Sequence, residues 1–152
     1  MDLATPSEGT TTTLLVDDDE SILDLVRLRL RNAGIHADIA CGPHDALKKL
    51  ATGRYRVVVS DVEMPEMSGI ELAERIRELD PLVQVIMLTA GDSLARLALS
   101  RAAGATDLLS KMHDLARIPA VVADALDRSR RWARLGSTDA ARTPRPSADA
   151  SV

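Results

Sequence analysis

The chain has 152 residues, 45% hydrophobic and 28% charged, enough for one buried core beneath a charged surface. With no Phe, one Tyr and one Trp, that core must be aliphatic, and a stacking platform for single-stranded nucleic acid is disfavoured. The net charge is −4, yet residues 128–152 hold six Arg and two Asp, so the body is acidic and lacks the footprint of a dedicated DNA binder. Lone Cys41 rules out an internal disulfide framework and suits a reducing compartment. The opening MDLATPSEGTTT has neither a basic stretch nor an apolar segment of the signal-peptide kind. No run approaches the roughly 18 apolar residues of a membrane span. The expectation is a cytoplasmic protein without direct contact to membrane or DNA.

Residues 1–11 are Thr, Ser, Gly, Pro and acids without periodicity, and are expected to be disordered. Thr12–Asp17 (TTLLVD) then reads as a buried strand ending in acids. Glu20–Asn32 carries Ile22, Leu25, Val26 and Leu30 at helical spacing, and Gly34 follows as a stop. Ile35–Ala40 is a weaker strand. Pro43–Thr52 is a helix with Pro in its tolerant first turn. Tyr55–Asp61 is a strand with three consecutive Val. Gly69–Leu79 is a helix stopped by Asp80-Pro81, Val83–Ala90 a strand, Asp92–Ala103 a helix ended by Gly104, and Thr106–Lys111 a strand. Pro119 cannot sit deep in a helix, so an irregular turn is expected at 113–118, with the last helix starting near Pro119 and running to about Leu135. From Gly136 to Val152 the composition reverts to that of a disordered tail, which leaves one domain over 12–135.

Strand and helix alternate five times, and the strands are continuous apolar runs. That pattern implies a parallel sheet covered by helices on both faces. Right-handed crossovers leave the flavodoxin-like doubly wound (βα)5 sandwich, strand order 2-1-3-4-5, as the expected architecture. Such sheets bind ligands outside the carboxyl ends of their strands. Those ends carry Asp17, Asp18 and Asp19, then Asp61, then Thr89 and Ala90, then Lys111. Gathered carboxylates repel one another and call for a cation. Oxygen-only ligands suit a hard ion such as Mg²⁺, which binds through one or two carboxylates plus waters and phosphate oxygens. A hydroxyl and an ammonium nearby suit an anionic phosphoryl group, and a carboxylate can attack phosphorus to give an aspartyl-phosphate.

In order and spacing, the segments LLVDDDE, VVVSDVEMPEMSGIEL, VIMLTA and GATDLLSK resemble the four signatures of response-regulator receiver domains in bacterial two-component phosphorelay signalling. The resemblance covers roughly residues 12–127, and four segments in register are far more specific than any one. It implies the following roles. Asp61 is the phosphoacceptor. Asp18 and Asp61 are direct Mg²⁺ ligands, with Asp17 acting through water and Glu63 through its backbone carbonyl. Thr89 is the switch hydroxyl, and Lys111 pairs with phosphoryl oxygens. Met64-Pro65 and Gly69 shape the loop beside the site. The donor it implies is a sensor histidine kinase or a histidine phosphotransfer protein.

Two positions depart from the family. Met112 follows Lys111 where a cis-bonded Pro is usual, and a trans bond is expected because cis without Pro costs about 2.5–4 kcal/mol. Leu108 stands where an aromatic residue swings inward on activation. The resemblance makes the chain an autocatalytic phosphoacceptor with slow self-dephosphorylation, not a turnover enzyme. Too few residues follow Leu135 for an output domain with its own core, so a stand-alone receiver signalling by protein contact is expected. The resemblance also allows a homodimer through the face made by the fourth helix, fifth strand and fifth helix.

A pseudo-receiver docking module that is never phosphorylated is the alternative, favoured by Leu108 and Met112 and disfavoured by the intact acid, hydroxyl and ammonium set. A nucleotide- or flavin-dependent enzyme would need a glycine-rich loop after the first strand, where acids stand instead. His36, His44 and His113 lack ligand spacing and read as surface residues. Met64, Met67, Met87, Met112 and Trp132 read as packing, and Arg128, Arg130, Arg131 and Arg134 as a solvated helix end.

Overall fold

In the computed structural model, residues 11–142 are described apart from 92 and 93, with the side chains of 137–142 also left aside. The elements are β1 (Thr13–Val16), α1 (Glu20–Asn32), β2 (Asp38–Ala40), α2 (Pro43–Leu50), β3 (Val57–Asp61), α3 (Gly69–Leu79), β4 (Gln84–Thr89), α4 (Leu94–Ala102), β5 (Asp107–Ser110), a 3₁₀ turn (Leu115–Arg117) and α5 (Ile118–Arg142). All strand pairs are parallel, in the order β2-β1-β3-β4-β5. This is the doubly wound sheet that the alternation of elements predicts.

Strand residues alternate between two apolar layers, as the pleat requires. Leu15, Val57, Val59, Ile86, Leu88 and Leu109 meet Leu23, Val26 and Leu30 of α1 and Ile118, Val122 and Ala125 of α5. On the other face, Leu14, Val16, Val58, Val85 and Met87 meet α2 and α3 through Ala46, Leu50, Leu72 and Ile76. The α4 helix is held thinly: Ser100 is its one buried residue, while Leu94, Leu97 and Leu99 are exposed.

Local chemistry sets the helix limits. The Asp19 side chain accepts from the Ser21 amide at 2.9 Å and caps α1. At the far end Gly34 takes φ 81°, its N–H bonds Arg31 O, and the Ile35 N–H bonds Leu30 O, closing a Schellman turn. That closure explains why β2 starts at Asp38 and not at Ile35: the Ile35 amide already belongs to the helix end. Ser68 caps α3 through the Glu71 amide at 3.1 Å.

Three expectations need correction. The last helix does not end near Leu135 but continues to Arg142, so the expected boundary at Gly136 falls inside it. A mid-helix Gly costs only about 1 kcal/mol relative to Ala, and no Pro intervenes before Pro144. Trp132 is 49% exposed, because residues 130–136 of α5 are all exposed once the helix has passed Ser129. Met112 is 76% exposed on the β5–α5 loop, whereas Met64, Met67 and Met87 are buried as expected. The turn expected at 113–118 is the 3₁₀ segment, and Pro119 falls in the first turn of α5. Residues 1–10 and 143–152, and the expected helix start at Asp92, lie outside the described residues.

Candidate functional site

The strand order reverses between β1 and β3, and the site lies at the carboxyl ends of these two strands. Asp17 immediately follows β1 and Asp61 ends β3. Both are buried, at 2% and 5% exposure, while Asp18 faces solvent. Carboxylate oxygens of Asp17, Asp18 and Asp61 all lie within 4.8 Å of one another. Lys111, just after β5, reaches across β4 into this group. Its Nζ donates to Asp17 Oδ2 at 2.8 Å and lies 3.2 Å from Asp61 Oδ1.

Three carboxylates against one ammonium leave a net negative charge in a largely desolvated place. Burial pushes the Asp61 carboxyl above its usual range; Lys111 pulls it back only in part, and Asp18 adds to the rise. Burial likewise raises Asp17, against the bonds from Lys111 and the Asp19 amide. For Lys111 burial works downward, but the Asp17 bond and the Asp61 and Asp17 charges prevail and hold its pKa up. The fold therefore strains to keep these acids ionised, and added positive charge would relieve it. The three carboxylates lie close enough together that they could hold one small cation between them. The all-oxygen donor set fits the same hard cation.

The β3–α3 loop shapes the floor. Asp61 Oδ1 accepts from the Glu63 amide at 3.2 Å. Gly69 N–H donates to Val62 O at 2.8 Å, and a Cβ at position 69 would collide with the Asp61 carbonyl oxygen. Only Gly allows α3 to begin this close behind Asp61.

Thr89, at the end of β4, is buried but turned to its own loop. Its Oγ1 donates to Gly91 O at 3.0 Å and accepts from Gly91 N at 3.3 Å and from Arg96 Nη1 at 3.3 Å. The Glu63 side chain pairs with Arg96 as well. Leu108 is half-buried and packs against the layer containing Met87 and Val85. No cis peptide bond occurs among the described residues, so Lys111–Met112 is trans, and the Met112 N–H that Pro would lack donates to Ser110 Oγ at 3.2 Å.

Of the residues singled out in the sequence, the structure gathers Asp17, Asp18, Asp61 and Lys111 within direct reach. It places Thr89 and Glu63 at the rim, joined through Arg96. His44 pairs with Glu66 at the surface, 3.1 Å away, and no His stands in the acidic group. Asp19, named at the strand end but given no ligand role, caps α1 and stands outside the acidic group. One residue was passed over. Arg96 was missed although a signal existed: a cation in the first turn of a helix opposes the helix dipole and invites a search for the anion that holds it.

Comparison with known proteins agrees with this geometry. The chain is 34% identical over 129 residues to the transcriptional regulatory protein ZraR of Salmonella typhimurium, covering 84% of this chain and 29% of that protein. It is 34% identical to the alkaline phosphatase synthesis transcriptional regulatory protein PhoP of Bacillus subtilis, covering 76% of this chain and 48% of that one. It thus spans less than half the length of either relative. The crystal structure of a CheY-like response regulator receiver domain protein from Methanospirillum hungatei superposes with a TM-score of 0.72 at 29% identity, covering 78% of this chain and 95% of that one. Chemotaxis protein CheY4 of Vibrio cholerae superposes at 0.66 with 32% identity, covering 77% and 96%. A family model for the response regulator receiver domain matches residues 13–123, from the first strand into the first turns of α5 and across every acid, hydroxyl and ammonium described above. By this match and by its strand order, the chain belongs to the response regulator receiver domain family of two-component signalling.

Proposed function

We propose that the chain accepts a phosphoryl group on Asp61 from a phosphohistidine of a sensor kinase or phosphotransfer protein, and that it signals by protein contact. One observation carries the reading. A buried carboxylate at the strand-order switch point lies among two further carboxylates and 3.2 Å from a lysine ammonium. A nucleophile, a candidate cation site and a phosphoryl counter-charge thus converge on one carboxylate.

The step balances without a further reactant. An Asp61 Oδ attacks phosphorus in line, a P–O bond forms as the P–N bond to the donor imidazole breaks, and the electron pair leaves on that nitrogen. Asp17, Asp18, Asp61 and the Glu63 carbonyl are the groups that would hold Mg²⁺, which supplies electrostatic stabilisation of the phosphoryl oxygens when bound. Lys111 already stands beside Asp61 and pairs with a phosphoryl oxygen there by exchanging one anion for another. Burial excludes bulk water from the carbonyl side of the acyl phosphate and keeps self-hydrolysis slow. Nothing here turns over a substrate.

The test is intact mass after incubation with phosphoramidate and Mg²⁺, read promptly. One phosphoryl adduct is expected, lost in Asp61→Asn and in chelator. Absence of the adduct, with no Mg²⁺ binding by titration, overturns the reading and leaves the docking module. That second reading is supported by Leu108, an aliphatic residue packed into the layer where a mobile aromatic would act.

A further inference from the structure

Arg96 is the third residue of α4, yet its guanidinium reaches two other elements. One arm pairs with Glu63 on the β3–α3 loop, and the other donates to Thr89 Oγ1 at the end of β4, 3.3 Å away. Both partners flank Asp61: the Glu63 amide bonds Asp61 Oδ1, and Leu88, next to Thr89, is the strand partner of Asp61. The Thr89 hydroxyl has one proton and two lone pairs, and all are used in this arrangement. The proton goes to Gly91 O, and the lone pairs accept from Gly91 N and Arg96. A hydroxyl so committed cannot donate toward Asp61 without leaving Gly91 O and letting Arg96 go. The α4 helix itself is thinly packed, with Ser100 its one buried residue.

We propose that Arg96 is a latch: a positioning residue that ties Thr89 and Glu63 together in the unphosphorylated chain and sets how much free energy the switch of Thr89 requires. The inference rests on the reading of Asp61 as phosphoacceptor and deepens it. Arg suits the role because its planar fork presents separate nitrogens to two acceptors, whereas Lys is a single point charge. A lysine at 96 still neutralises Glu63 but lacks the second arm. The latch therefore opens while the charge at the mouth of the site is preserved.

The experiment is titration with beryllium fluoride, an inert phosphoryl mimic, in Mg²⁺, followed by amide NMR on the full chain. In Arg96→Lys the Thr89 and Gly91 amide signals are expected to move before any mimic is added. The mimic should bind roughly two- to tenfold more tightly than to wild type, the scale of one released hydrogen bond. In a Thr89→Ala background the same substitution is expected to change affinity little, because the latch has nothing left to hold. Unchanged affinity and unchanged Thr89 and Gly91 signals in Arg96→Lys overturn the latch. So does a gain that persists undiminished without Thr89. Intact mass of wild type with phosphoramidate separates the two levels. An adduct with no Arg96 effect sinks the latch alone, while no adduct sinks the phosphoacceptor reading and the latch with it.

Discussion

At the residue scale, the decisive feature is that Asp61 is a buried acid held above its ordinary pKa by desolvation. A raised carboxyl pKa in the folded state means that folding favours the protonated form. The stability it contributes is present in full below the unfolded-state value and is lost as pH rises through the folded-state value. Asp17 shares the direction and adds to the effect. At neutral pH, then, the ionised acids work against the fold. Asp61→Asn is expected to raise the melting temperature of the metal-free protein and to flatten its loss of stability between about pH 4 and neutrality, the side of the carboxylate range on which these acids ionise. Thermal melts across pH check it. A lower melting temperature at neutral pH would show instead that the Lys111 pairing outweighs burial.

At the scale of elements, α3 shows how packing and site geometry are joined. Its first residue, Gly69, touches the Asp61 carbonyl so closely that Gly69→Ala must displace either the helix or the strand end. Such overpacking typically costs about 1–3 kcal/mol, and because the displaced backbone carries Asp61, the proposed phosphoacceptor, adduct formation should slow together with the fall in melting temperature. Ser68→Ala, one residue earlier, removes only the cap: about 1 kcal/mol of stability should go, with the adduct still forming. Equal phosphorylation rates in the two variants would refute the link between Gly69 and Asp61.

These capped helices are also where the sequence was most legible. For α1 and α3 the expected and observed limits coincide, because Gly34 and Asp80-Pro81 are strong stop signals; the Asp19 and Ser68 caps fix the starts in the structure. Convergence of Asp17, Asp18, Asp61 and Lys111 was legible for a different reason: parallel strands deliver their last residues to one rim whatever the side chains do. The Arg96 contacts were not, since they depend on how a long flexible side chain leaves a thinly packed helix. Nor was the exposure of Trp132, which looked like a core residue by spacing alone; helical period cannot tell where the neighbouring sheet stops.

At the scale of the whole molecule, every carboxylate of the site is joined to the core through strands buried on both sides, so a cation bound there is linked to global unfolding. Ligand at a hundred times its dissociation constant stabilises by about 2.7 kcal/mol. Adding Mg²⁺ should therefore raise the melting temperature of wild type, and should do so far less for Asp18→Asn or Asp61→Asn. A similar rise in all three would mean that the ion acts elsewhere. Conversely Leu135→Ser, at an exposed position of α5, should leave stability within about 0.5 kcal/mol of wild type.

The same overhang sets the reach of the molecule. Beyond Ser129 the helix gains roughly 1.5 Å with each further residue, so Arg142 lies well past the turns that pack on the sheet. Trp132, the sole tryptophan, rides on that outer section. Its fluorescence anisotropy would report on that section of the helix, with no second tryptophan to confuse the signal.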